Sequence, residues 1–176
     1  NTGQVGINET NPASSLDVNG TVRATGVAYR APQTRYLSIP AGGFTPTDNF
    51  ASATVENIFS GTYFASSVVS GGFAAPVQLP DGAVITAVDI SVFDNTTGAL
   101  QGRLGVRPFG GFGHAQAYLT PNSSNSAGSQ TLSMIPNITV NNNANSYVLL
   151  VECSDWNGSQ TSILGARVTY TVTAAD

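Results

Sequence analysis

His114 is the only histidine in these 176 residues, and lysine is absent; the six cations are Arg23, Arg30, Arg35, Arg103, Arg107 and Arg167. A serine nucleophile activated by His114 would need a strained turn to present it, yet no serine lies in a G-x-S-x-G elbow. The glycine loop before it, Gly110-Gly111-Phe112-Gly113, has neither phosphate-cradle spacing nor a helix signal after it. The ten carboxylates, Glu9, Asp17, Asp48, Glu56, Asp81, Asp89, Asp94, Glu152, Asp155 and Asp176, are scattered, with no spacing that suggests a glycosidase couple. One cysteine and one histidine cannot build a zinc site. Asp94-Asn95 and Asp155 with Asn157 offer oxygen ligands for calcium, but without EF-hand spacing they read as residues closing β-turns. Cys153, beside Leu150, Val151 and Trp156, reads as a small buried hydrophobe. The expectation is a protein that is not an enzyme and carries no cofactor and no metal.

Binding chemistry is better supplied. Arg107, Phe109, Phe112, His114 and Tyr118 gather around a glycine-rich stretch, and Trp156 stands in Ser154-Asp155-Trp156-Asn157-Gly158, a predicted turn between two strands. An exposed aromatic beside Asp155 and Asn157 offers a sugar both an apolar face and planar hydrogen-bonding groups. The competing reading makes Trp156 a plug over the end of the core, and His114 part of a subunit contact near a three-fold axis. The candidate ligand surface is therefore the pair of loops Arg107 to Tyr118 and Ser154 to Gly158, both expected at the distal end of a rigid scaffold.

Only 9% of residues are charged, against about a quarter in an average soluble protein, and the net charge is −4. Such a chain has little with which to displace counterions from a polyanion, so nucleic acid is not an expected partner. The longest apolar run in the C-terminal half, Val148-Leu149-Leu150-Val151, is far too short to span a membrane, and no insertion is expected. No signal-peptide pattern is legible, and Asn1 in place of a methionine reads as a start set by cleavage or by a chosen boundary, or merely as the first residue covered. Solubility rests on Ser, Thr, Asn and Gly, a composition associated with secreted and fibre-forming β proteins.

The elements that must position these residues are strands. Val84, Thr86, Val88, Ile90 and Val92 occupy one face of a period-2 segment whose other face carries Asp89, so the first set is expected to face the core. Further strands are predicted at Tyr36 to Ile39, Tyr63 to Val69, Leu100 to Arg107, Thr131 to Met134, Ile138 to Val140, Tyr147 to Ser154 and Leu164 to Thr173. Val84, Val88, Ile90, Val92, Leu149, Val151, Val168, Tyr170 and Val172 form the expected core. The fold class is all-β: a Greek-key or jelly-roll-like β-sandwich over residues 31–176, preceded by a short extended segment over residues 1–30.

That leading segment holds few large aliphatics: Val5, Ile7, Leu16, Val18 and Val22. Five cannot bury a core, so the segment must dock on the sandwich or on copies of itself. Its run Val5-Gly6-Ile7-Asn8-Glu9-Thr10-Asn11-Pro12, continuing as Leu16-Asp17-Val18-Asn19-Gly20-Thr21-Val22-Arg23-Ala24, resembles a module of phage tail-fibre-like and bacterial surface fibre proteins. In those chains the form is VGIGTTNP followed by LDVNGTVRA. Asn8 stands where glycine is usual and Ser15 where lysine is common; asparagine tolerates a left-handed backbone, so the turn survives. Gln78-Leu79-Pro80-Asp81-Gly82-Ala83 is also similar to the β-sandwich domains that end such chains.

The resemblance implies a homotrimeric shaft in which these five aliphatics meet their copies on an axis, followed by a globular tip that recognises a surface glycan or protein receptor. Its setting would be extracellular: a cell surface, or the fibre of a virion or injection machine. Two other readings stay open. One is a filament or pilus-like subunit that polymerises by donating an N-terminal strand. The other is the carbohydrate-binding module of a secreted enzyme.

Overall fold

The computed structural model describes residues 3–47, 55–58, 61–64, 71–111, 116–124 and 126–174. The strands in chain order are β1 Val5–Ile7, β2 Leu16–Val18, β3 Ala28–Pro40, β4 Thr45–Pro46, β5 Val55–Ile58, β6 Gly61–Phe64, β7 Gly71–Val77, β8 Val84–Asp94, β9 Leu100–Pro108, β10 Gln116–Leu119, β11 Gly128–Met134, β12 Ile138–Thr139, β13 Asn145–Cys153 and β14 Thr161–Ala174. Two single 3-10 turns, Ala41–Gly43 and Gly158–Gln160, are the only helical elements among the described residues. Of the strand predicted at Tyr63 to Val69, only the start lies in β6; residues 65–69 fall outside the described residues.

Two antiparallel sheets face each other. One runs β10-β9-β13-β7-β4; the other runs β11-β8-β14-β6-β5, with β12 added on β8 and β3 on β14. From β7 to β9 and again from β12 to β14 the chain passes back and forth between the sheets, as in a jelly roll. Period-2 alternation fills the space between them. Leu100, Leu104, Leu149, Val151, Phe73 and Ala75 from the first sheet meet Ile85, Val88, Ile90, Val92, Ile163 and Val168 from the second, all fully buried. The sheets approach closely at Gly102, where an added Cβ would lie 2.5 Å from Ile90 Cδ1. Glycine is required there by proximity rather than by backbone angle.

The inward set of β8 departs from expectation at its start. Ile85 is fully buried and Val84 only half so. The cause is a register shift: β14 pairs Thr169 with Ala87 but Tyr170 with Ile85, leaving Thr86 as an extra residue. The Thr86 hydroxyl donates to the Thr169 carbonyl at 3.1 Å across this bulge. One inserted residue inverts which side chains face inward, so Val84 gives up its core place to Ile85. On the opposing strand Tyr170 is likewise only partly buried, packed against the rim of the core.

β1 and β2 form a separate parallel pair, with Val5 opposite Leu16 and Ile7 opposite Val18. Val5 N–H donates to the Ser15 carbonyl at 2.9 Å and Asn19 N–H to that of Ile7 at 3.0 Å, extending the pair at both ends. The connection turns back through Asn8 at φ 55°. Asp17 holds it by accepting from Ala13 N–H at 2.9 Å. Val5, Ile7, Leu16 and Val22 are exposed, at 55%, 50%, 57% and 65%, and Val18 is half-buried.

Candidate functional site

Trp156 belongs to the core. It is fully buried, its ring meets Phe73 edge-on at 5.1 Å, and its indole N–H donates to the Gly71 carbonyl at 3.1 Å. The stacking role considered for it is therefore corrected. A lone tryptophan between two core strands closes the gap at the sheet end because its apolar area is worth more inside than out, once the N–H has an acceptor. Its neighbours remain near the surface: Asn157 is exposed, and Asp155 is half-buried, its N–H approaching Cys153 Sγ at 3.4 Å.

The two loops do not converge. β9 and β13 run antiparallel with Pro108 opposite Asn145 and Leu100 opposite Cys153. Phe109 therefore leaves one end of the sheet and Asp155 the other, and the paired stretch between Leu100 and Pro108 alone spans about 27 Å at the usual strand rise. The Phe109 end is also where Ala28 enters the sandwich, since Ala28 pairs with Ala174 and Thr171 with Val84. The expectation of one distal surface made from both loops is thus corrected. Phe109 is 64% exposed and Arg107 exposed beside it. Tyr118 lies on β10 opposite Leu104, on the inward face and packed against the core, so it too is not a loop residue. Phe112 and His114 fall outside the described residues.

At the Asp155 end, Thr47, Gln101, Asn122, Glu152 and Ser154 surround a trough of about 560 Å³. Glu152 pairs with Arg103 at 2.9 Å. Arg103 Nε is the one buried side-chain polar atom among the described residues without a hydrogen-bond partner. The thiol of Cys153 is pushed up to about 11 by burial. No group of three or more His, Cys, Asp or Glu side chains comes together as a metal site among the described residues.

One exposed polar arrangement is one that sequence reasoning did not single out. It lies on the outer face of the larger sheet. Asp89 of β8 accepts from Arg167 of β14 at 2.8 Å and from the Ser133 hydroxyl of β11 at 2.7 Å. These bonds to Arg167 and Ser133 hold the Asp89 carboxyl below its ordinary range. The same bond raises the Arg167 guanidinium. Arg167 also sits 5.7 Å from the ring centroid of Tyr36 on β3, which is 62% exposed. The signal was present in the sequence: Asp89 is the single charge between Val84 and Val92, and Arg167 the single charge between Leu164 and Thr173.

No protein-family model matches this chain, and neither does any curated protein. Solved structures do resemble it. A family 11 carbohydrate-binding module from Clostridium thermocellum, in complex with a β-1,3-1,4-mixed-linked tetrasaccharide, is similar with a TM-score of 0.46 and 10% identity, over 86% of this chain and 99% of that one. The infectious bursal disease virus Gx strain structure is similar with a TM-score of 0.44 and 13% identity, over 93% of this chain and 37% of that one. The TmCBM61 structure in complex with β-1,4-galactotriose gives 0.41 and 14%, over 76% and 90% of the two chains.

Proposed function

We propose that this chain is a non-enzymatic adhesive protein of fibre type, in which residues 3–27 associate as a homotrimer and hold β-sandwich domains out to recognise a surface ligand. The observation that carries the reading is the exposure of Val5, Ile7, Leu16, Val22 and Val27, each at 50% or more, on a segment whose local turns are already closed by hydrogen bonds. Strands of three residues paired only with each other are marginal in water. Burying the remaining half of each aliphatic against copies would contribute about 1 kcal/mol per side chain. Three-fold rather than two-fold association is supported by the resemblance of residues 5–24 to the fibre module.

Light scattering on the full chain tests this. The expected mass is three times the 18.1 kDa of one chain. Ile7→Asp and Leu16→Asp should release monomers whose far-ultraviolet spectrum keeps its β signature. A wild-type chain that runs as a monomer at micromolar concentration overturns the proposal. An open-ended ladder of polymers would instead support strand donation between subunits.

A further inference from the structure

We infer that the outer face of the larger sheet, between Tyr36 and Thr131, is a binding site for a neutral saccharide; this rests on the reading of the sandwich as a recognition domain. Register builds the site. Ser133 is opposite Asp89, Asp89 opposite Arg167, and Arg167 opposite Ser38, so four polar side chains form one row across β11, β8, β14 and β3. Beside that row the sheet dips. Gly165 has φ 146° and no side chain, and an added Cβ would lie 3.0 Å from the Ile39 carbonyl oxygen. The resulting trough, about 440 Å³, is walled by Ser91 and Thr131 on one side and by Ser38 and Pro40 on the other.

The chemistry selects the ligand class. Arg167 and Asp89 neutralise each other, so the trough offers no net charge to a phosphate or sulfate. Both groups nevertheless keep hydrogen-bonding capacity. The guanidinium has five N–H donors and its side chain is 57% exposed, while each Asp89 oxygen can accept more than the one bond it makes. Hydroxyls of Ser38, Ser91 and Thr131 can donate or accept as a sugar hydroxyl requires. Tyr36 adds an exposed ring, steadied by the Arg167 guanidinium, against which the C–H face of a pyranose can lie. Asp89 is the single carboxylate among the described residues lining the trough. The paired acids of glycoside cleavage are absent from that lining, so the sugar is held rather than cut. An open trough across a flat sheet suits the side of a polymer chain better than an enclosed small molecule.

Affinity electrophoresis of the full-length protein tests the assignment, with gels containing soluble mixed-linked β-glucan, mannan, galactan or heparin. Retardation is expected in at least one neutral polymer and not in heparin. Tyr36→Ala and Arg167→Ala should each raise the apparent Kd at least tenfold while leaving the circular dichroism spectrum and the core unchanged. Absence of retardation in every neutral polymer, retardation in heparin alone, or retention of binding by either variant overturns the site. Masses measured on the same samples keep the two proposals apart. A monomer that binds overturns the trimer and leaves the site standing; a trimer that does not bind overturns the site alone.

Discussion

Asp94 accepts a hydrogen bond from the hydroxyl of Ser123 at 2.6 Å, and through it the end of β8 in one sheet is tied to the start of β9 in the other. Ser123 Oγ also accepts from Leu100 N–H at 2.8 Å, while Ser123 N–H donates to the Leu100 carbonyl at 2.8 Å. Asp94 takes two further bonds from Thr96, at its N–H and its hydroxyl, both at 3.1 Å. Both residues of the tie are buried. Ser123→Ala should cost about 1 to 3 kcal/mol, because it leaves Leu100 N–H and an Asp94 oxygen without their partner in a dry site. Asp94→Ala should cost at least as much, since Ser123 and Thr96 are orphaned together. Urea unfolding monitored by fluorescence measures both, and a loss below half a kcal/mol for Ser123→Ala would contradict the arrangement.

Replacing Trp156 should damage stability rather than recognition. Trp156→Ala removes the largest fully buried side chain and its contact with Phe73, a loss of about 3 to 5 kcal/mol. Trp156→Phe retains part of the packing but leaves the Gly71 carbonyl unpaired, for about 1 to 3 kcal/mol. At temperatures where the variants remain folded, saccharide retardation should equal that of the parent protein.

The bulge at Thr86 sets a paired test. Ile85→Ala should cost about 2 to 5 kcal/mol, and Val84→Ala, on the half-exposed side of the strand, less than 1 kcal/mol. Unbroken alternation through Val84 predicts the reverse order, so chemical denaturation of the two variants decides the register. Ile90→Ala, beyond the bulge, should behave like Ile85→Ala, because Ile90 is fully buried.

Cys153 should be inert in the native state. With the thiol near 11, about one molecule in a thousand carries the reactive thiolate at pH 8. Labelling by iodoacetamide at that pH should be slower than that of a free cysteine by more than a hundredfold, and should recover fully in denaturant. Rapid native labelling would place the thiol at the surface instead.

The strongly alternating strands were legible because each has one apolar face: β8, β13 and β14 stand where Val84 to Val92, Tyr147 to Ser154 and Leu164 to Thr173 were predicted. β7 and the part of β3 upstream of Tyr36, each holding an internal proline, were not. β7, Gly-Gly-Phe-Ala-Ala-Pro-Val, is not among the predicted strands, and its Pro76 is tolerated because β4 pairs only with Phe73 and Ala74 and leaves the strand open beyond them. β3 extends well upstream of Tyr36, and Pro32 is tolerated in it because β14 is its only sheet neighbour among the described residues. The row from Ser133 to Ser38 joins residues from four strands far apart in sequence, and only the strand order brings them together. Conversely, Phe109 and Trp156 look alike in sequence, as aromatics in glycine-containing turns. Trp156 is buried with its N–H bonded to the Gly71 carbonyl and its ring against Phe73, whereas Phe109 leaves the end of β9 and stays exposed.

The pairing of β3 with β14 fixes how the molecule carries tension. The sandwich is entered at Ala28, and from Gln33 to Pro40 the strand lies hydrogen-bonded along Val172 to Gly165. Ladder bonds in an antiparallel pair run perpendicular to the strands. A pull through residue 28 against a load fixed near Gly165 acts along β3, so it strains that whole row of bonds at once. The same load applied between Ala28 and Ala174 would peel the ladder one bond at a time. Under the proposed arrangement, an anchor at the leading segment and a grip on the sheet face would place the molecule in its mechanically stronger direction.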